Sequence, residues 1–163
     1  LKEMLLWSSE QNGAIAIRYP KSIDIDYELP FCQKWNIVEA HNGRVKLLCV
    51  GNNFLSIAYD ISNALRQMGI TSDIICVTSV KPLDETYLNS VSNCLVVTLE
   101  ENTIFGGFGS CVCQNFSTNS GVRVLPIAVE DKFVEHATIK QQFEITNLTV
   151  KEITSKILLA LDK

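Results

Sequence analysis

From Arg44 onward, apolar runs alternate with stretches in which apolar residues recur at helical spacing. Val45-Lys46-Leu47-Leu48-Cys49-Val50 is an apolar run that stops at Gly51. Apolar residues then fall at Phe54, Ile57, Ala58, Ile61, Leu65 and Met68, one face of a helix. Asn52 or Asn53 is expected to cap its start, and Gly69 to supply the left-handed stop. Further strands are predicted over 73–77, 95–99 and 122–129. A short helix over 84–91 has acids in its first turn, and a helix over 108–116 is opened by Gly106-Gly107. The last helix, 148–161, carries its own start signal: Thr149 and Glu152 are spaced as a capping box, Leu148 and Ile153 as a hydrophobic staple. Near-continuous apolar strands alternating with helices predict an α/β domain, a three-layer α/β/α arrangement with a mostly parallel sheet and right-handed crossovers.

The first 43 residues are less regular. Leu1–Trp7 resembles the tail of a helix, Asn12-Gly13 a turn, and Ala14–Tyr19 a strand that Pro20 ends. One helix and one strand cannot bury their own apolar faces. Residues 1–20 are therefore expected to be the last elements of a preceding domain; the alternative is a first strand that joins the main sheet. Residues 21–43 read as a connector, with short strands at Ser22–Asp26 and Trp35–Glu39, a break at Pro30 and a turn at His41-Asn42-Gly43. Residues 44–163 form the principal domain.

Composition narrows the choice of function. The chain has 163 residues, 47% hydrophobic and 20% charged, with a net charge of −4. That is ordinary globular composition, and the negative balance gives no general attraction to nucleic acid or an anionic membrane. No apolar run approaches the ~20 residues of a membrane span. The N-terminal stretch lacks the basic region of a signal peptide. Cysteines sit mostly within apolar runs, as at Cys49, Cys76 and Cys94, so buried thiols in a reducing compartment are expected in place of a disulfide framework.

In open α/β sheets, ligands collect at the carboxyl ends of the strands. Those ends carry Gly51-Asn52-Asn53, Ser79–Pro82, Glu100-Glu101-Asn102 and Glu130–His136. Glu100, Glu101 and Asn102 follow a buried strand, and read either as acid/base or hydrogen-bonding groups in a crevice or as a solvated loop. Gly106-Gly107-Phe108-Gly109-Ser110 could present N–H groups to an anion at a helix start. It departs from the dinucleotide fingerprint, because Val112 stands at the third glycine position. Close backbone packing or a subunit interface is the competing role for Gly107 and Gly109. His136 is either a site or interface residue or a surface histidine. Two histidines exclude a His-rich metal site, and Cys111 and Cys113 would point about 200° apart on a helix, against joint metal binding. Arg18 ends an apolar segment just before a Tyr-Pro break. Its guanidinium would emerge at an edge and suits either bidentate capture of a phosphate or carboxylate, or a plain salt bridge.

Five segments occur in a recognisable order: Ala16-Ile17-Arg18-Tyr19-Pro20, Val80-Lys81-Pro82-Leu83-Asp84, Glu100-Glu101-Asn102, Gly106–Ser110 and Asp131–His136. Together they resemble the C-terminal portion of the 1-deoxy-D-xylulose-5-phosphate synthases, a family of transketolase-like thiamine-diphosphate enzymes. The resemblance spans nearly the whole chain and is weakest over 21–43. It departs from the family at Lys21-Ser22 and at His136-Ala137, where the family carries Arg-Gly and His-Gly. It implies a transketolase-type C-terminal fold and a parent enzyme that condenses pyruvate with glyceraldehyde 3-phosphate, releasing CO2. It also implies thiamine diphosphate and Mg²⁺ in the full-length enzyme, with neither held by this chain, since the family's diphosphate–Mg²⁺ motif and activating glutamate do not occur in it. By the same resemblance Arg18 holds the substrate phosphate. The remaining residues pack against upstream domains and a second subunit, so the chain alone is expected to be inactive. The Lys-Pro-Leu-Asp piece is shared with beta-type subunits of 2-oxo acid dehydrogenases, and a stand-alone interaction domain of the same fold is a third reading. The compartment implied is the cytosol for a bacterial parent and a plastid-type organelle for a eukaryotic one.

Overall fold

Strand residues alternate between two apolar faces, and each face is covered by its own set of helices. In the computed structural model, which describes residues 1–19, 29, 31, 34–119 and 121–162, five strands form one sheet. They are β1 (Asn36–Glu39), β2 (Val45–Cys49), β3 (Ser72–Cys76), β4 (Cys94–Thr103) and β5 (Val122–Val129), in the spatial order β1-β3-β2-β4-β5. β2, β3, β4 and β5 pair in parallel, and β1 runs antiparallel on the outer side of β3. The helices are α1 (Lys2–Ser9), α2 (Asn52–Gln67), α3 (Glu85–Ser90), α4 (Phe108–Asn115), α5 (Ile139–Ile145) and α6 (Val150–Leu161).

Val45, Leu47, Ile74, Leu95, Val97, Leu99 and Ile127 point to one face, where they pack with Phe54, Leu55, Ala58, Ile61 and Leu65 of α2 and Ile153 and Ile157 of α6. Leu48, Ile75, Val96 and Val122 point to the other, against Leu88 of α3 and Phe108, Val112 and Phe116 of α4 and its end. The period of two along the strands thus builds both cores at once, and the three-layer parallel fold read from the sequence is the one observed. Each fully buried Leu, Ile or Phe contributes about 1.5–3 kcal/mol by leaving water.

Several local expectations are corrected. Ala14–Tyr19 is not a strand: residues 14–19 pair with no strand among the described residues, and Ile15 and Tyr19 are exposed. β-branched and apolar residues alone do not make a strand when no neighbour takes up the backbone N–H and C=O groups. Asn52 and Asn53 lie inside the first turn of α2, and Gly51 (φ 86°) occupies the cap position without a side-chain bond. Gly69 does end α2 in the left-handed region, at φ 75°. β4 runs past Leu99 to Thr103, so Glu100-Glu101-Asn102 is strand and not loop. At α6, the Thr149 side chain accepts from the Glu152 N–H at 3.3 Å. α5 was not anticipated, although Thr138-Ile139-Lys140-Gln141 carries its start signal. Thr138 and Gln141 form a reciprocal capping box there.

The strand placed at Ser22–Asp26 and the break at Pro30 lie outside the described residues. The strand expected at Trp35–Glu39 is β1, within the stretch read as a connector. Asp84 secures its start. One carboxylate oxygen accepts from the Tyr87 N–H at the start of α3, and the other accepts from the Trp35 N–H, both at 3.0 Å. The Trp35 ring donates to the Ser79 carbonyl at 2.8 Å. The Asp of the Lys-Pro-Leu-Asp piece, which follows a cis Lys81–Pro82 bond, thus has a structural task.

Of the five cysteines among the described residues, all are free thiols. Cys49 and Cys94 are buried, and burial pushes the Cys49 thiol well above its ordinary range, with the neighbouring Cys76 adding to the rise. Cys76, expected to be buried, is half-buried, while Cys111 is exposed on α4 and Cys113 half-buried there. No helix of the described residues is long and apolar enough to cross a membrane.

Candidate functional site

The two adjacent glutamates of β4 face opposite sides of the sheet and have different partners. Glu100 is 2% exposed. It points toward α4, where Oε2 accepts from the Phe108 N–H at 2.9 Å and Oε1 from the Gly109 N–H at 2.7 Å. A carboxylate thus fills the N-terminus of α4, the place where orphan N–H groups and the helix dipole favour negative charge. The glycine-rich run that could have held an external anion holds the chain's own. Its glycines are required by that closeness: a Cβ at Gly107 would lie 2.7 Å from both Glu100 oxygens and 2.5 Å from the Thr103 carbonyl oxygen. A Cβ at Gly109 would lie 2.5 Å from Thr98 Oγ1. Both glycines are buried within the chain.

Glu101 faces the α2 side and the carboxyl edge of the sheet. Its Oε1 accepts from Asn53 Nδ2 at 2.6 Å, and its Oε2 from Arg18 Nη2 at 3.4 Å. These three residues form one wall of an open cleft of about 370 Å³. Glu130, Asp131 and Lys132, just past β5, line it too, as do Gln142, Phe143 and Thr146 of α5 and its end. Lys132 Nζ lies 2.8 Å from Glu130 Oε2, and the ammonium holds the Glu130 carboxyl below the usual carboxylate range. The cleft therefore lies where the strand ends predict it, and its lining carries two cations, Arg18 and Lys132, each paired with a carboxylate.

Of the residues singled out in the sequence, Arg18 and Glu101 come together in this cleft. Glu100, Gly107 and Gly109 come together behind it, around the start of α4. Asn102 is exposed and accepts from the Thr103 N–H. His136 is exposed in the segment after β5 and does not line the cleft. Asn53 and Lys132 line it too; sequence reasoning placed both at ligand-collecting strand ends but gave neither a role of its own there. Asn53 was read as a helix cap, and Lys132 was passed over within Asp131–His136, where no spacing rule marks a lone lysine.

Helices on both faces of a parallel sheet, with a polar cleft at the carboxyl ends of β4 and β5, define an α/β domain of the type that binds ligands or partners at its strand ends. The chain belongs to the transketolase C-terminal domain family, whose model matches residues 33–153. The 1-deoxy-D-xylulose-5-phosphate synthase of Clostridium tetani is 30% identical over 165 residues, covering 97% of this chain and 26% of that protein. The corresponding synthase of Prochlorococcus marinus (strain NATL2A) is 32% identical over 168 residues, covering 96% and 26%. The chain thus spans about a quarter of the length of these curated relatives, and fits their C-terminal portion. Among solved structures, a split-gene transketolase described as an inactive beta4 tetramer superposes with a TM-score of 0.72 at 24% identity, over 86% of this chain and 46% of that one. Transketolase from Campylobacter jejuni gives 0.54 at 16% identity, over 85% and 20%. Both likenesses establish the fold.

The resemblance to the synthases implies thiamine diphosphate and Mg²⁺ in a complete enzyme, and the donor set of this cleft fits neither. Among the described residues, no three His, Cys, Asp or Glu side chains converge on a cation position. The cleft's two cations, Arg18 and Lys132, stand beside three carboxylates, Glu101, Glu130 and Asp131, and can meet one phosphate group but not offset the larger charge of a diphosphate. The N-terminus of α4 is itself already filled by Glu100.

Proposed function

We propose that this chain serves as the C-terminal domain of a 1-deoxy-D-xylulose-5-phosphate synthase, an enzyme that joins pyruvate to glyceraldehyde 3-phosphate with loss of CO2. The observation that carries the reading is the guanidinium of Arg18 standing at the carboxyl-edge cleft, in a chain matched over 97% of its length by such a synthase. In the complete enzyme, thiamine diphosphate and Mg²⁺ on other domains supply the carbanion chemistry. This chain contributes Arg18, from the segment ahead of the residues the family model matches, as the group that holds the aldehyde's phosphate and orients the aldehyde. Its remaining surface packs against the upstream domains and a second subunit, in a homodimer.

Arginine suits this role because its planar fork meets two phosphate oxygens at once. In the complete enzyme, Arg18→Ala should raise KM for glyceraldehyde 3-phosphate about ten- to a hundred-fold, the scale of a charge-assisted pair of hydrogen bonds. KM for pyruvate should stay near its starting value; equal effects on both substrates would remove the phosphate role. Residues 1–163 alone, mixed with both substrates, thiamine diphosphate and Mg²⁺, should give no product, and turnover by this chain would refute its assignment as one domain of a larger catalyst.

A further inference from the structure

We infer that Glu101 is the positioning residue for Arg18: it holds the guanidinium at the cleft and so sets the affinity for the substrate's phosphate. The inference rests on the reading of Arg18 given above. Three observations carry it. First, Arg18 belongs to a segment, residues 11–19, that has no regular secondary structure, and its side chain is 66% exposed. Nothing in that segment's own backbone fixes where the guanidinium sits. Second, Glu101 is fixed on both counts. It lies on β4, and its other oxygen is tied to Asn53 in the first turn of α2 at 2.6 Å. Rigid strand and rigid helix thus converge on one carboxylate, and that carboxylate meets Arg18 at 3.4 Å. Third, the contact uses one guanidinium nitrogen. Among the described residues Nη2 is the atom engaged, which leaves Nη1 and Nε to meet a phosphate. A two-bond carboxylate fork would have consumed the face that the phosphate needs.

Glu100, one residue earlier, cannot take this part. It faces the other side of the sheet and both of its oxygens are bonded to the start of α4. The negative charge of Glu101 opposes an incoming phosphate to some degree. The loss of a fixed guanidinium is the larger effect here, because Arg18 has no second anchor among the described side chains.

The test is steady-state kinetics on the complete enzyme carrying Glu101→Ala, Glu101→Gln, Asn53→Ala, Arg18→Ala and the Glu101→Ala/Arg18→Ala pair. Glu101→Ala should raise KM for glyceraldehyde 3-phosphate two- to fivefold, the scale of a half-exposed ion pair, with kcat and KM for pyruvate within twofold of the unaltered enzyme. Glu101→Gln keeps an acceptor oxygen and should recover part of the change, and Asn53→Ala should shift KM in the same direction by less. In the Arg18→Ala background, Glu101→Ala should add nothing, since it acts through Arg18. Tighter or unchanged phosphate-substrate binding in both Glu101 variants overturns the inference, as does full additivity in the pair. If Arg18→Ala itself leaves that KM unmoved, the reading of Arg18 fails as well. If Arg18→Ala weakens binding and the Glu101 variants do not, the positioning role alone falls.

Discussion

At the scale of single residues, Glu100 and Glu101 show how adjacent identical side chains acquire opposite tasks. Strand alternation sends one toward α4, inside the protein, and the other to the cleft. Glu100→Ala would leave the Phe108 and Gly109 N–H groups without partners at a buried helix start. The loss should be on the order of 3 kcal/mol in denaturant-unfolding experiments on the chain. Glu100→Gln, which keeps one acceptor but turns an amide toward the other N–H, should cost less. The sequence marked both residues but could not separate them. It placed them past the end of the strand, in a crevice or a solvated loop, where alternation has no meaning, because the apolar run ends at Leu99. The ladder continues beyond that point with polar residues, through a register shift between Leu99 and Thr103. Asn53 stood at a strand end in the sequence as well, but its task was not legible: a cap and a cleft residue look alike at the first turn of a helix.

At the scale of elements, polar clasps set where strands begin. Asp73 on β3 accepts from the His41 and Gly43 N–H groups at 2.8 and 2.9 Å and pairs with the Lys46 ammonium on β2. It fastens the turn before β2 to the start of β3. Gly43 is needed there, since a Cβ would lie 2.6 Å from the Ser72 Cα. Burial by itself would raise the Asp73 carboxyl. The Lys46 hydrogen bond, the two backbone N–H groups and the Lys46 charge outweigh it and hold the group below its usual range. A carboxyl lowered in the folded state contributes stability that is fully present above its ordinary titration range, about pH 4. That contribution is lost as pH falls through the lower, folded-state value. Thermal melts between pH 6 and pH 2 should therefore show a steep acid limb, and Asp73→Asn should flatten it while lowering stability at pH 6. An unchanged pH profile in that variant would show that other carboxylates govern the acid limb. These elements were legible where hydrophobic period and length agreed, as for α2, β2 and β5. They were not legible where identity depended on a neighbour. Ala14–Tyr19 has strand composition and no strand partner among the described residues, and α5 is a single capped stretch whose apolar positions are mostly exposed.

At the scale of the whole molecule, the order of the apolar runs was sufficient for the three-layer architecture, since strands buried on both faces demand helices on both. The site was half legible. Carboxyl-edge loops and Arg18 could be singled out from residue type and position. That Arg18 meets Glu101 across 83 positions of sequence is a fact of the folded chain alone.

The sheet's two outer strands carry a further consequence. β1 is four residues long and its pairing is broken by an irregularity between Ile37 and Glu39. β5 has Pro126 at its middle, which interrupts the row of backbone donors, and an exposed Arg123 near its start. Short, kinked or proline-bearing borders of this kind do not template another strand. The chemistry of these two strands closes the sheet to growth. Whatever assembly the chain enters must be built through its helices and loops, and a destabilised form is guarded against stacking into ribbons along its own backbone.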